Sequence, residues 1–209
     1  MSSKRVSTVF VMSALVLAFT IPMFAQSGAT YAADQSGATY IGNAQCKVCH
    51  NKKAEGEQWN IWKAENHSKA IERLKTPEAI EVGKKVGLAK PPHEAPECLK
   101  CHVTAYDPAT GKTPDAIKLE DSVQCESCHG PASLHQADGK KVLFQKDKTV
   151  DITAHIKKGT KEDCTGCHND SSPTWKPDRY TLESGEKVGF DFEQAAKKIA
   201  HPNPTKAKP

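Results

Sequence analysis

The chain has 209 residues, with 29 Lys and Arg against 25 Asp and Glu, 37% hydrophobic residues and a mean hydropathy of −0.59. This is too polar for a core made only of side chains along most of the length. The small basic excess has no basic stripe interleaved with aromatics, which argues against nucleic acid as a partner.

The chain opens with the pattern of an export signal over residues 1–25: Lys4 and Arg5, an apolar run from Val9 interrupted by Ser13, then Pro22 and small residues that put the cut between about 25 and 33. The apolar run falls short of the roughly 20 residues a membrane span needs, so no stable span is expected after processing. No other segment is apolar enough to cross a bilayer. Residues 26–40 form a leader of flexible composition in which the hexapeptide QSGATY occurs twice, at 26–31 and 35–40. Residues 41–209 are expected to form one domain.

All eight cysteines then fall in four CxxCH units: Cys46, Cys49 and His50; Cys98, Cys101 and His102; Cys125, Cys128 and His129; Cys164, Cys167 and His168. Two thiols three residues apart share one side of a helical turn, where each can form a thioether with a porphyrin vinyl group. The adjoining imidazole then lies under the iron. Zinc ribbons use thiolates directly and have no need of a histidine after every second cysteine. Disulfides would not explain the histidines either. The pattern therefore predicts four covalently attached c-type haems, a cofactor attached outside the cytoplasmic membrane, which agrees with the leader. The expected location is periplasmic or extracellular.

Between the motifs, residues 55–75 read as one helix, with His67, Ile71 and Leu74 on one stripe and Trp59 and Trp62 able to pack on a porphyrin. Thr76 and Pro77 cap a second helix from Glu78 to about Val86, closed by Gly87. A stiff connector, Lys90-Pro91-Pro92-His93, leads to Pro96, which starts the turn of the second motif. Residues 107–111 read as a turn. Beyond the fourth motif, residues 180–182 and 187–190 suggest a small hairpin. Asp191, with Gln194 three residues on, has a capping-box pattern before a helix carrying Phe192, Ala195 and Ile199, which stops at His201-Pro202. The expected fold is mainly α with extensive loops, a multihaem cytochrome c arrangement in which the haems form the core.

Five histidines lie outside the motifs: His67, His93, His135, His155 and His201. All three methionines lie in the signal segment over residues 1–25, so histidine is the expected sixth ligand. His67, His135 and His201 are the leading candidates, and His93 and His155 are further ones. Removing Lys4 and Arg5 with the leader lowers the basic excess by two, and haem propionates add about eight negative charges. Lys140-Lys141, Lys157-Lys158 and Lys197-Lys198 are solvated faces that can steer an acidic redox partner.

The segment from Trp59 to Ala70 with its Glu-Asn-His67-Ser-Lys-Ala, the block Val123-Gln-Cys-Glu-Ser-Cys-His129-Gly-Pro, and the motif spacing resemble the cytochrome c-554 family over residues 41–202. That family contains the tetrahaem partner of hydroxylamine oxidoreductase. The resemblance implies a mainly helical fold, closely stacked haems and ligands from distant segments. By position it implies His135 opposite His50, His67 opposite His129 and His201 opposite His168. It also implies a five-coordinate haem at His102, although His93 or His155 could fill that place. Here His135 follows its motif sooner than in the type member.

The leading expectation is an exported carrier passing single electrons between respiratory redox partners, not an enzyme. Two alternatives accompany it: a subunit of an extracellular homo-oligomeric filament, and a nitrogen-oxide reductase acting at one five-coordinate haem.

Overall fold

A computed structural model of the chain describes residues 36–203. The expected signal and the first copy of the hexapeptide lie outside the described residues. The second copy ends inside the fold: Thr39 N–H donates to Ser133 Oγ at 2.8 Å, and Tyr40 packs on the hydrophobic core.

The architecture is short helices joined by long loops. In chain order the helices are α1 (Asn43–His50), α2 (Gln58–Ala64), α3 (Ala70–Arg73), α4 (Pro77–Lys85), α5 (Pro96–His102), α6 (Cys125–His129), α7 (Ser133–Phe144), α8 (Lys161–Thr165) and α9 (Phe192–Ile199). A two-stranded antiparallel hairpin, β1 (Tyr180–Thr181) with β2 (Lys187–Val188), pairs Tyr180 with Val188. Among the described residues no helix is long and apolar enough to cross a membrane.

The single helix expected over residues 55–75 is broken into three pieces. Glu57 takes a left-handed conformation (φ 51°), and Glu65 is extended (φ −81°, ψ 168°), which ends α2 at Ala64. Ser68 Oγ then donates to the carbonyls of Lys63 and Glu65, an alternative to continuing the helical ladder. His67 therefore sits on a 3₁₀ turn, His67–Lys69, ahead of α3. Local side-chain bonding prevailed over a helical pattern. Helix α4 follows its signals, with Thr76 Oγ1 capping Ala79 N–H and Gly87 closing it at φ +72°.

Two caps differ from expectation. Asp191 accepts from Gln194 N–H, but the Gln194 amide turns to Thr181 O at 2.9 Å, so only half a capping box forms. The complete box lies at Thr160 and Asp163, where both reciprocal bonds are made. The apolar residues of α9 are half-buried. Helix α7 carries no apolar periodicity in its sequence and follows Gly130-Pro131 after a single intervening residue, Ala132.

The side-chain core is small. Ile71, Leu74, Leu99, Val103 and Ile117 form one cluster between α3 and α5, with Tyr40, Cys98 and Tyr106 against it. A buried polar set lies beside it: Thr104, Ser122, Gln124 and Glu126 are each 2% exposed or less. These groups are satisfied mostly by backbone. Gly42 enters α1 at φ +75°, and a Cβ there would meet Ala116 O at 2.5 Å. Gly42→Ala is expected to cost about 2 kcal/mol or more, from backbone strain and the clash together. A urea unfolding curve of the haem-loaded protein measures it.

Candidate functional site

Each CxxCH unit begins on a helical turn. Helices α1, α5 and α6 end on the motif histidine itself, whereas α8 ends at Thr165 and one further turn carries Cys167 and His168. Pro96 pre-sets the first turn of α5, and the Thr160 box starts α8. Helix α1 takes its cap from a remote segment: Gln124 Oε1 accepts from Asn43 N–H at 2.7 Å, and Glu126 accepts from Ile41 and Gly42.

The thiols of different motifs meet. The neighbouring Cys125, followed by burial, pushes the Cys46 thiol far up, while Cys46 lowers the Cys125 thiol against the opposing effect of burial. Cys101 hydrogen-bonds Cys167, which lowers Cys101 to about 7 and raises Cys167. Burial, then the neighbouring Cys164, raises Cys128 to about 11. Thioether sulfurs do not titrate, so the value of these shifts lies in the neighbours they identify. The motifs are ordered in space as first, third, fourth and second.

The histidines meet in twos. His50 faces His135 with ring centroids 6.0 Å apart and planes 16° from parallel. His67 faces His168 at 6.0 Å, and His129 faces His201 at 5.8 Å. Two imidazole nitrogens each bound about 2 Å from one metal put their ring centroids about 6 Å apart, so each gap fits an iron ligated from both sides. His50 and His135 pair as the resemblance implies. The other two pairs are exchanged relative to it: His67 lies opposite His168 and His201 opposite His129. Val123 N–H, just ahead of the third motif, donates to His67 O, and Gln58 ties Pro202 O to the His50 side of the molecule.

Hydrogen bonds orient the rings. The Nδ1 of His102, His129 and His135 lies 2.8 Å from the carbonyls of Ala70, Lys157 and Ile152 respectively. His50 Nδ1 is 3.1 Å from Gln58 Oε1. A carbonyl oxygen only accepts, so Nδ1 carries the proton and the Nε2 lone pair is left free for a metal. Burial lowers the pKa of His67, His135, His168 and His201, favouring the neutral, ligating form.

His102 is absent from the ring pairs found among the described residues. His155 is turned elsewhere: its Nδ1 lies 2.5 Å from Asp138 Oδ2, and its side chain is 44% exposed. His93 Nε2 lies 3.6 Å from Glu94 Oε1, and its Nδ1 is buried with no partner. Neither ring is brought opposite His102.

Other features suit a large bound group bearing carboxylates. The buried nitrogens Trp59 Nε1 and Gln124 Nε2 find no acceptor among the described residues. An open cleft of about 360 Å³ borders His168, lined in part by Lys161, Trp175 and Phe190. The Phe190 ring lies 5.7 Å from His168 and 10° from parallel. Gly189 makes this wall possible, since a Cβ there would collide with the Trp175 ring. Among the described residues no group of three or more His, Cys, Asp and Glu converges as a bare metal-ion site.

Glu126, Gln124, Ser122 and Thr104 were not singled out from sequence. Glu126 sits between two motif cysteines, where a charged residue usually means a solvated face, and nothing local marks it as buried.

The family model described as "Cytochrome c554 and c-prime" matches residues 45–130. Cytochrome c-554 of Nitrosomonas europaea is 32% identical over 189 residues, covering 83% of this chain and 77% of that protein. No solved structure matches. With motif helices that end in oriented imidazoles and a relative aligned over most of both lengths, the chain belongs to the cytochrome c-554 family.

Proposed function

We propose that this chain is an exported tetrahaem c-type cytochrome that carries single electrons between redox proteins of a respiratory system. The haems are attached at Cys46 and Cys49, Cys98 and Cys101, Cys125 and Cys128, and Cys164 and Cys167. Histidines 50, 102, 129 and 168 are the proximal ligands, and His135, His201 and His67 are the sixth ligands opposite His50, His129 and His168. The observation that carries this reading is the set of three histidine pairs with centroids 5.8–6.0 Å apart.

The haem iron supplies one-electron redox chemistry. At the three paired sites the protein's part would be to hold two neutral imidazoles at fixed separation, so that oxidation and reduction need little rearrangement. The carbonyls on Nδ1 of His50, His102, His129 and His135 hold the proton there and keep the orientation of those rings. The neighbouring cysteines run first, third, fourth, second, which supports a relay with the first and second motifs at its two ends. The leader over residues 1–25 directs export, residues 26–40 serve as a linker, and the remaining chain is the haem-bearing domain.

A second reading concerns the second motif. His102 is oriented by Ala70 O but has no ring opposite it among the described residues, which supports an open coordination position. An iron of that kind can take a small ligand such as a nitrogen oxide, and catalysis there would add to electron carriage.

Alkaline pyridine reduction of the purified protein is expected to give four haems per chain, and a count below four would sink the tetrahaem assignment. Low-temperature EPR of the oxidised protein should show three low-spin haems and one high-spin haem. Four low-spin haems would remove the open site. His135→Ala is expected to convert one further haem to high spin, whereas His93→Ala and His155→Ala should leave the spectrum as in the parent. A high-spin gain in either of the latter variants would reassign the sixth ligands.

A further inference from the structure

Glu126 is the most buried charged side chain among the described residues, at 1% exposure. Its Oε1 accepts from Ile41 N–H at 3.1 Å and Ala132 N–H at 2.9 Å, and its Oε2 accepts from Gly42 N–H at 2.8 Å. Ile41 N–H also lies 3.3 Å from Oε2. Both oxygens therefore face donors. A carboxylic O–H would have to point at one of those N–H groups, whereas a carboxylate satisfies all of them. None of the ion pairs among the described residues includes Glu126. The charge is held by backbone dipoles alone.

Its position makes that charge consequential. Glu126 lies between Cys125 and Cys128, and the helix it caps carries Cys46, whose thiol meets Cys125. In a low-dielectric interior a fixed negative charge acts over many ångströms and stabilises the ferric state over the ferrous. We propose that Glu126 is held as an anion and depresses the reduction potential of the haem at Cys125, Cys128 and His129, and more weakly that of the haem at His50. This rests on the haem assignment above.

Burial raises the carboxyl pKa, and the backbone donors at Gly42, Ile41 and Ala132 oppose that rise. The Tyr40 hydroxyl is pushed up by burial and then by the Glu126 charge. A purely structural anchor for α1 would give the same hydrogen bonds but leave the potentials unaffected by the side chain's charge.

The test is spectroelectrochemical titration of the four-haem protein and of E126Q and E126D, with haem content measured on each. E126Q removes the charge and keeps the shape. It is expected to favour reduction of one haem by about tenfold, about 59 mV upward, with a smaller rise at a second haem. E126D keeps the charge and should stay near the parent. Four haems in E126Q with all midpoints unchanged would overturn the proposal, as would equal rises in both variants. If E126Q does not retain four haems, redox-difference infrared spectra of the parent labelled with ¹³C-glutamate decide the matter. Carboxylate bands alone support the anion, and a protonated glutamate band overturns it. A parent with fewer than four haems would instead count against the haem assignment.

Discussion

The fold depends on a five-residue stretch of buried polar backbone, Ser122 to Glu126. Ser122 is fully buried at φ 61° and ψ −139°, a positive-φ conformation unusual for a residue with a side chain. Its carbonyl accepts from Thr104 N–H at 3.0 Å, and its hydroxyl accepts from Ile71 N–H at 3.1 Å. Val123 exchanges bonds with His67 O and Trp62 Nε1, Gln124 caps Asn43, and Glu126 takes the entry to α1. One short stretch thus joins the first motif, the Trp-to-His segment, the exit of the second motif and the third motif itself. The strain at Ser122 is offset because so many buried donors and acceptors find their partners there.

This junction explains how so small a hydrophobic cluster is enough. Five aliphatic side chains between α3 and α5 cannot organise the described chain by burial alone. Hydrogen bonds to backbone position the motif helices, and histidines from distant segments then meet across gaps the width of an iron and its two bonds. The paired rings come from far apart in sequence, so an iron held between them would close long loops. Cofactor and fold are in this sense one system: the backbone orients the rings, and the pairs of rings are set to hold distant loops together.

The exchanged pairing of His67 and His201 shows how little local the choice of partner is. His67 sits on the 3₁₀ turn that follows the break at Glu65, and His201 follows the helix that starts at the Asp191 N-cap with its tie to Thr181. His155 shows the opposite outcome. Its Nδ1 is taken by Asp138, one turn beyond His135 on α7, and Lys141 holds the other carboxylate oxygen at 3.0 Å.

Much of the site was legible in the sequence because attachment chemistry is local. Cys-x-x-Cys-His needs only one helical turn to work, and four such units with no cysteine left over admit few other chemistries. Punctuation by Thr76-Pro77, Gly87, Pro96 and Asp191 was legible for the same reason, since each acts on its nearest backbone neighbours. Helix α7 was not, because its residues carry no apolar period, and the break in the Trp-to-His helix was not, because Ser68 bonds backward into it. The partner of each histidine, the spatial order of the motifs and the burial of Glu126 all depend on chain segments dozens of residues apart. Composition and spacing determined that this chain is built to hold haem. Only the tertiary structure decided which rings face one another and where the buried charge sits, because those are properties of long-range backbone hydrogen bonding, which leaves no periodic trace in a sequence.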